Sequence, residues 1–384
     1  MEGPRAAKSN ELFQVIQLIN NVFRVSENFP STMDKEFPLL LCEDNIDNIR
    51  IVVDKDIPVS AVTYYKSDIL LGGSIVKAAS VGAVCTYPEY RGRNLASDIL
   101  DDVEEKLKKE NIDIMLISGT RNLYLKRGCC IVGGFYRVNL QMCNNLNNTI
   151  QVINFNDNYL KNMADIYSRE EVRYHRSLYE FENLLKGSTT SWDGSSYRIF
   201  LINKYGNTLG YVVLKICNED KTNGYVIEYA GEREVIYESL YHIISMCSLD
   251  NLTLNFSKND KITTYIQNGH IGLFKQNQLG SIKIINFESF MNRLKPYFTQ
   301  YLSYKTMESI IFKEESRGFI FNIDDEEFCI EDLNLLTQLV FGDVEESSIN
   351  DYLLECLKDK PSTKRFIETV FPLPFPWAGN MNFI

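Results

Sequence analysis

Residues 81–96, VGAVCTYPEYRGRNLA, constrain the fold of this chain more than any other stretch. A β-branched run ends at Thr86, and Pro88 cannot extend a strand ladder. The loop Tyr90-Arg91-Gly92-Arg93 then opens into a segment from Asn94 to Glu110. There Leu95, Ile99, Leu100, Val103 and Leu107 recur at helical steps and mark one apolar face. A further apolar strand follows at Ile112–Ser118, which makes strand, helix and strand a crossover unit. Ahead of it, Ile49–Val53, Val59–Tyr65 and Val76–Thr86 are rich in β-branched and aromatic residues. Turn signals at Asp54–Pro58 and Gly72-Gly73 divide them into an antiparallel meander. Glu11–Arg24 carries Leu12, Val15, Ile16, Ile19 and Phe23 on one helical face, and Asn122–Arg127 reads as a short helix stopped by Gly128. The spacing predicts a mixed α/β domain.

The loop at 91–96 carries chemistry. The first backbone amides of a helix have no partner within it and share the positive end of its dipole, so they attract phosphate. Arg91 and Arg93 add charge there, and Gly92 lets the backbone come close. The outer face of the following helix is acidic, with Asp98, Asp101, Asp102, Glu104 and Glu105, while its mouth is basic.

A second unit repeats part of this order. Tyr159–Lys186 is predicted helical, Arg198–Asn203 and Leu209–Ile216 form a hairpin across Lys204-Tyr205-Gly206-Asn207, and strand Gly224–Tyr229, helix Glu234–Cys247 and strand Leu252–Phe256 follow. The last hundred or so residues differ. Helices at Phe287–Tyr297 and Leu333–Phe341 bracket a hairpin of Gly318–Ile323 and Glu327–Ile330 joined by Asp324-Asp325-Glu326. The tail from Phe371 to Ile384 holds three prolines and four aromatics, and so reads as stiff and buried, unlike most termini. Expected domains are 1–147, 148–285 and 286–384.

Composition narrows the function. The 384 residues carry a net charge of −11, which repels polyanions at long range and attracts cations, so nucleic acid is not an expected partner. The nine cysteines form no CxxC pair, and His175, His242 and His270 are far apart, so neither a metal site nor a disulfide framework is expected. No run reaches the ~18 apolar residues that a membrane span needs. Met1–Asn10 has no apolar core of the signal-peptide kind, and a cytoplasmic location is expected.

The segment Arg91-Gly92-Arg93-Asn94-Leu95-Ala96 resembles the pyrophosphate loop of the GNAT superfamily of N-acetyltransferases, Arg/Gln-x-x-Gly-x-Gly/Ala, with Asn94 where the family usually has Gly. Asn tolerates left-handed backbone better than most residues, so the loop should survive the change. The resemblance implies acetyl-coenzyme A as cosubstrate. Its pyrophosphate would lie on residues 91–96 and its pantetheine arm along the end of the strand at Val84, Cys85 and Thr86, splayed from the strand ending at Ser118. The Val84 amide would polarise the thioester carbonyl. Tyr124, four residues before Gly128, matches the family's Tyr-x-x-x-Gly pattern and would protonate the leaving thiolate. A covalent route through Cys129 or Cys130 ranks low, since no His lies near them in sequence.

At full length the chain resembles the enhanced-intracellular-survival type of GNAT enzyme: two GNAT-like domains followed by a sterol-carrier-protein-like α+β domain. That type implies that the carboxylate of Ile384 reaches the catalytic site, to take a proton from the amine or to orient it. The second domain's equivalent turn, Ala230-Gly231-Glu232-Arg233-Glu234, lacks the cofactor loop and should bind no coenzyme A. The implied acceptor is a primary amine, on an aminoglycoside-like polyamine or a protein lysine, and a homo-oligomer is compatible with this type. Two alternatives stand beside it: an acyl or aminoacyl transferase of the same layout, and a non-catalytic protein that binds coenzyme A or lipid.

Overall fold

The computed structural model describes residues 1–142, 146–269, 272–342 and 355–384, so Cys143 and His270 lie outside the described residues. The first sheet runs in the order Glu2–Ala6, Ile49–Asp54, Ile57–Leu71, Ser74–Thr86, Ile114–Ile117 and Ser281–Ile284, with Val172–Tyr174 paired to the far end of Ile57–Leu71. Neighbours are antiparallel except Ser74–Thr86 and Ile114–Ile117, which the crossover helix Leu95–Lys109 makes parallel. The expected strands are present, and the central hairpin is longer than its β-branched runs. It closes at Gly72 and Gly73, both with positive φ, the backbone that a tight hairpin turn demands.

Alternation along the strands gives this sheet two apolar faces. Val52, Val62, Val81 and Ile117 pack under Leu95, Ile99, Leu100, Val103 and Leu107 of the crossover helix. Ile51, Val53, Ala61 and Cys85 pack under Val15, Leu18 and Ile19 of helix Leu12–Phe23. Part of the crossover helix's acidic face is anchored to its neighbours. Asp102 accepts from Arg50 at 2.6 and 2.9 Å, Glu104 accepts from Lys283 at 2.6 Å, and Asp101 pairs with Arg127.

The second sheet repeats this plan. Its order is Phe274–Gln276, Phe135–Leu140, Asn251–Ser257, Asn223–Gly231, Asn207–Ile216, Ser196–Lys204 and Ile150–Asn154. Asn223–Gly231 and Asn251–Ser257 form its parallel pair, crossed by helix Arg233–Cys247. The two sheets do not divide at residue 147. Phe135–Leu140 pairs antiparallel beside Asn251–Ser257 in the second sheet, and Ser281–Ile284 pairs beside Ile114–Ile117 in the first. Each sheet thus covers its short parallel strand with an antiparallel strand that sequence order would assign to its neighbour.

The predicted helix at Tyr159–Lys186 is two helices, Leu160–Tyr167 and Leu178–Ser188. Val172–Tyr174 between them joins the first sheet, and Ser177 starts the second helix with a reciprocal capping box to Glu180. The predicted helix at Phe287–Tyr297 also breaks. Pro296 lacks the amide that would continue the ladder, so Phe287–Arg293 is followed by a short helix Lys295–Phe298.

The third unit has a three-stranded antiparallel sheet, Ile311–Glu315, Gly318–Ile323 and Glu326–Ile330. Helices Phe287–Arg293, Leu333–Phe341 and Pro361–Val370 pack with it. Its core merges with one face of the first sheet through Ile69, Val76, Ala78, Ile114 and Leu116. Phe287 sits at its centre, with ring centroids 6.2, 5.2 and 5.4 Å from Phe312, Phe319 and Phe321. Phe287→Ala should lower stability by about 3–5 kcal/mol, the usual cost of deleting a buried aromatic ring. Denaturant unfolding monitored by circular dichroism measures it.

Candidate functional site

The site begins where pairing stops. The last parallel pair is Val81 with Ile117, yet Ser74–Thr86 continues for five more residues. On its other edge Gly82 pairs with Thr63 and Cys85 with Ala61, so Ala83 and Val84 together oppose Val62. This is a β-bulge, and Ala83 takes a positive φ of 49° to make it. The bulge lifts Ala83 and Val84 out of the ladder, while beyond Ile117 the other edge diverges. Backbone groups on this stretch are therefore open to an added extended ligand. Cys85 and Thr86 are more tied down: Ser60 Oγ donates to the Cys85 carbonyl at 3.0 Å, and the Thr86 hydroxyl lies 2.8 Å from that of Ser60.

Arg91, Gly92, Arg93 and Asn94 are all exposed at the mouth of helix Leu95–Lys109. Asn94 is its N-cap in left-handed backbone, φ 60° and ψ 8°, and Gly92 has φ 78°. The conformation that a glycine would supply at Asn94 is thus reached by asparagine. The Asn94 side chain does not cap the helix, so the amides of Leu95, Ala96 and Ser97 keep no cap partner. Leu95 turns its side chain into the core and Ala96 is half-buried, so both face the mouth through backbone. Arg91 Nε donates to the Thr86 carbonyl and Arg93 Nη2 to the Glu89 carbonyl, each at 3.3 Å. Arg93 also lies over the Tyr90 ring, 5.0 Å from its centroid. Such long, exposed bonds leave both guanidiniums free to turn toward an anion.

Tyr124 lies in the short helix Asn122–Leu125, buried against Val81, Leu95, Ile117 and Cys129, and Val84 packs on the same cluster. Its ring covers Gly119, where any side chain would press on it. Burial raises the phenol above its ordinary value, so it stays protonated through neutral pH. Burial also pushes the Cys85 and Cys129 thiols up to about 12. Neither is a thiolate at neutral pH, so neither is set up as a nucleophile.

Ile384 arrives from the opposite side. Its side chain rests on Gly82, where a Cβ would collide with it, and packs with Leu40, Leu41, Ala83 and Cys85. Ile384 and exposed Ser118 line one small cleft with Ser80, Val81 and Ile117. The structure therefore brings Val84, Cys85, Thr86, Ser118 and Ile384 around the splay. Tyr124 joins Val84 on the crossover-helix side, and residues 91–96 form the mouth beyond. Gly82 and Gly119 were not singled out from sequence, because a glycine needed for close approach looks the same there as one in a turn.

The second sheet has a similar divergence. Its parallel pairing ends at Tyr225 with Thr253, and Asn223–Gly231 runs on. At the mouth of its crossover helix, carboxylates stand in the anion position. Glu170 accepts from the Gly231 amide at 2.8 Å and from Arg233 Nη1 at 2.9 Å, and Asp260 accepts from Arg233 Nε at 2.8 Å. Glu232 and Glu234 of the turn flank Arg233 in sequence only, and Glu234 pairs with Lys204 at 3.1 Å.

Asn94→Val should cost about 1–2 kcal/mol, the penalty for left-handed backbone at a residue with a bulky Cβ. Asn94→Gly should be neutral within a few tenths of a kcal/mol, since glycine adopts this backbone freely. Chemical denaturation of the two variants against the parent checks this.

The acetyltransferase (GNAT) domain family matches residues 4–132. No curated protein sequence matches the chain. Solved structures of similar fold include a GCN5-related N-acetyltransferase from Anabaena variabilis, with TM-score 0.65 and 13% identity over 96% of each chain. A GCN5-related N-acetyltransferase from Kribbella flavida has TM-score 0.62 and 14% identity over 97% of this chain and 96% of that one. Eis1 from Mycobacterium abscessus has TM-score 0.60 and 11% identity over 98% of this chain and 99% of that one. At such identities the likeness is one of fold, and it extends over all three units. The splayed strands and the basic helix mouth described above lie within residues 4–132, the stretch that matches the GNAT acetyltransferase domain family.

Proposed function

We propose that the chain transfers an acetyl group from acetyl-coenzyme A to a primary amine, within its first unit and by direct attack. The observation that carries this reading is the bulged strand end at Ala83 and Val84, open to one side and led by a basic helix mouth. An extended pantetheine arm fits such an edge as an added strand. A pyrophosphate fits the amides of residues 92–97 with Arg91 and Arg93 closing over it. The Val84 amide would meet the oxyanion, and Tyr124 would return a proton to the leaving thiolate. In a chain ending at Ile384, the terminal carboxylate would take the amine's proton or hold the amine in line. The raised thiols of Cys85 and Cys129 favour this route over an acyl-cysteine. Glu170 and Asp260 in the second sheet's anion position favour a single cofactor per chain, since a phosphate there would meet two carboxylates. The acceptor class, an aminoglycoside-like polyamine or a lysine side chain, rests on the resemblance and on the net charge of −11. A sterol-carrier-like reading of the third unit rests on the resemblance alone.

The direct test is thiol release from acetyl-coenzyme A against a panel of primary amines, repeated with longer acyl-coenzyme A esters. Arg91→Ala and Arg93→Ala should each weaken acetyl-coenzyme A binding by about 1.5–3 kcal/mol, the scale of a hydrogen bond to a charged group. Unchanged affinity of both variants in calorimetry would remove the cofactor assignment.

Tyr124→Phe should lower kcat by about 10²–10⁴-fold and leave acetyl-coenzyme A affinity unchanged. The pH dependence follows from the phenol's direction of shift. Its acid form persists above the ordinary tyrosine value of about 10, so the parent rate should rise as the acceptor amine loses its proton and show no fall due to Tyr124 below that pH. A descending limb between pH 7 and 9 that disappears in Tyr124→Phe would contradict the assignment.

A further inference from the structure

We infer that the diverging strands of the second sheet are a clamp for the chain's tail, with Arg176, Glu228 and Asn382 as positioning residues that set Ile384 against Gly82. This rests on the reading of the first unit as the acetyl-transfer site and gives the second unit its part in it.

The tail is fixed by a closed network. Arg176 donates to both oxygens of Glu228, at 2.9 and 2.7 Å, and through Nε to Asn382 Oδ1 at 2.7 Å. Tyr211 donates its hydroxyl to Glu228 Oε1 at 2.7 Å, and the Met381 amide approaches Glu228 Oε2 at 3.4 Å. The Arg176 guanidinium lies over the Tyr167 ring, 4.0 Å from its centroid. The Arg176 and Glu228 side chains are 1% and 5% exposed. A buried ion pair in which one donor is reserved for a tail residue is a costly arrangement for stability alone, and such pairs are better explained by the geometry they fix. Glu228 stands on Asn223–Gly231 beyond the last parallel pair, so it projects where the second sheet's strands part. Met381 adds the apolar half of the clamp, buried among Met163, Phe181, Leu201, Tyr211 and Val213 of the second unit. Two residues after Asn382, Ile384 meets Gly82 in the first unit's splay. A short peptide held at Asn382 has little freedom left at Ile384.

Variants of Arg176 or Glu228 would strand a buried charge and could fail to fold, so Asn382 is the position to test. Asn382→Ala removes the acceptor and leaves the Arg176–Glu228 pair whole. Asn382→Asp keeps an oxygen for Arg176. Protein ending at Ile384 is read three ways: acetyl-coenzyme A affinity by calorimetry, release of Ile384 by carboxypeptidase, and turnover with the amine that gives the fastest thiol release. Asn382→Ala should keep its cofactor affinity, lose Ile384 to carboxypeptidase at least about 10-fold faster, and lose up to about 10²-fold in kcat, the scale of a misplaced reacting group. Asn382→Asp should recover both protection and kcat. Parent-like protection and kcat in Asn382→Ala would overturn the clamp, and so would equal impairment of the Ala and Asp variants. A chain extended by three residues past Ile384 separates the two levels. Parent-like turnover in the extended chain would overturn the role given to the terminal carboxylate. An inactive extended chain beside a parent-like Asn382→Ala would overturn the clamp alone.

Discussion

Parallel pairing between Ser74–Thr86 and Ile114–Ile117 stops at Val81 and Ile117, while the longer strand continues to Thr86. Unpaired strand edges in a folded protein are a liability unless something covers them. Here the bulge at Ala83 and Val84 bends the edge, the crossover helix and Tyr124 close one face, and Ile384 covers Gly82 on the other. What stays open is a slot along the backbone between a basic helix mouth and a buried phenol. The other units bear on this slot by supplying Ser281–Ile284 to flank the short parallel strand and by bringing the tail to its far side.

The tail shows how three units act as one. Leu373 donates its amide to the Val340 carbonyl at 2.8 Å, and Phe375 packs on Phe341 with centroids 5.0 Å apart, both within the third unit. Trp377 then edges onto Phe135 at 5.3 Å, and the Ala378 amide donates to Gln278 Oε1 at 3.3 Å. Met381 and Asn382 are held by the second unit, and Ile384 by the first. Each step buries apolar area or satisfies a polar group, so the tail is anchored at intervals of a few residues. Prolines at 372, 374 and 376 reduce the entropy lost when such a segment is ordered.

Much of the first unit was legible from residues because its signals are local. The period-two strands, the Gly72-Gly73 turn and the leucine face of the crossover helix each fix their own element. The site's mouth was legible too, since Pro88, Arg91, Gly92 and Asn94 sit in one short run. The illegible parts depend on partners far away in sequence. Phe135–Leu140 and Ser281–Ile284 look like ordinary short strands, and nothing near them says that each joins the sheet of the other half. Val172–Tyr174 is three residues inside a helical pattern, and only pairing with Ile69–Leu71 makes it a strand. Arg176, Glu228 and Asn382 are single polar residues in three separate segments, and no spacing rule links them before the chain folds.

The two similar strand–helix–strand junctions show how one piece of geometry takes two uses. In the first, Arg91 and Arg93 stand in solvent, where a guanidinium without a carboxylate partner costs little to keep. In the second, Arg233 is largely withdrawn from solvent between Glu170 and Asp260, and a guanidinium in that setting must be paired. Exposure therefore decides which junction can still accept an anion. An exposed arginine gives up water for phosphate. A paired one would have to give up two carboxylates, which would then face the incoming charge. On Asn223–Gly231, the strand that leads into this second junction, Glu228 is likewise paired inside the protein, with Arg176, whose Nε holds Asn382 of the tail. A junction that stays open in the first sheet has here met its Gly231 amide with the protein's own Glu170. An internal ion pair stands where the other junction is open to solvent.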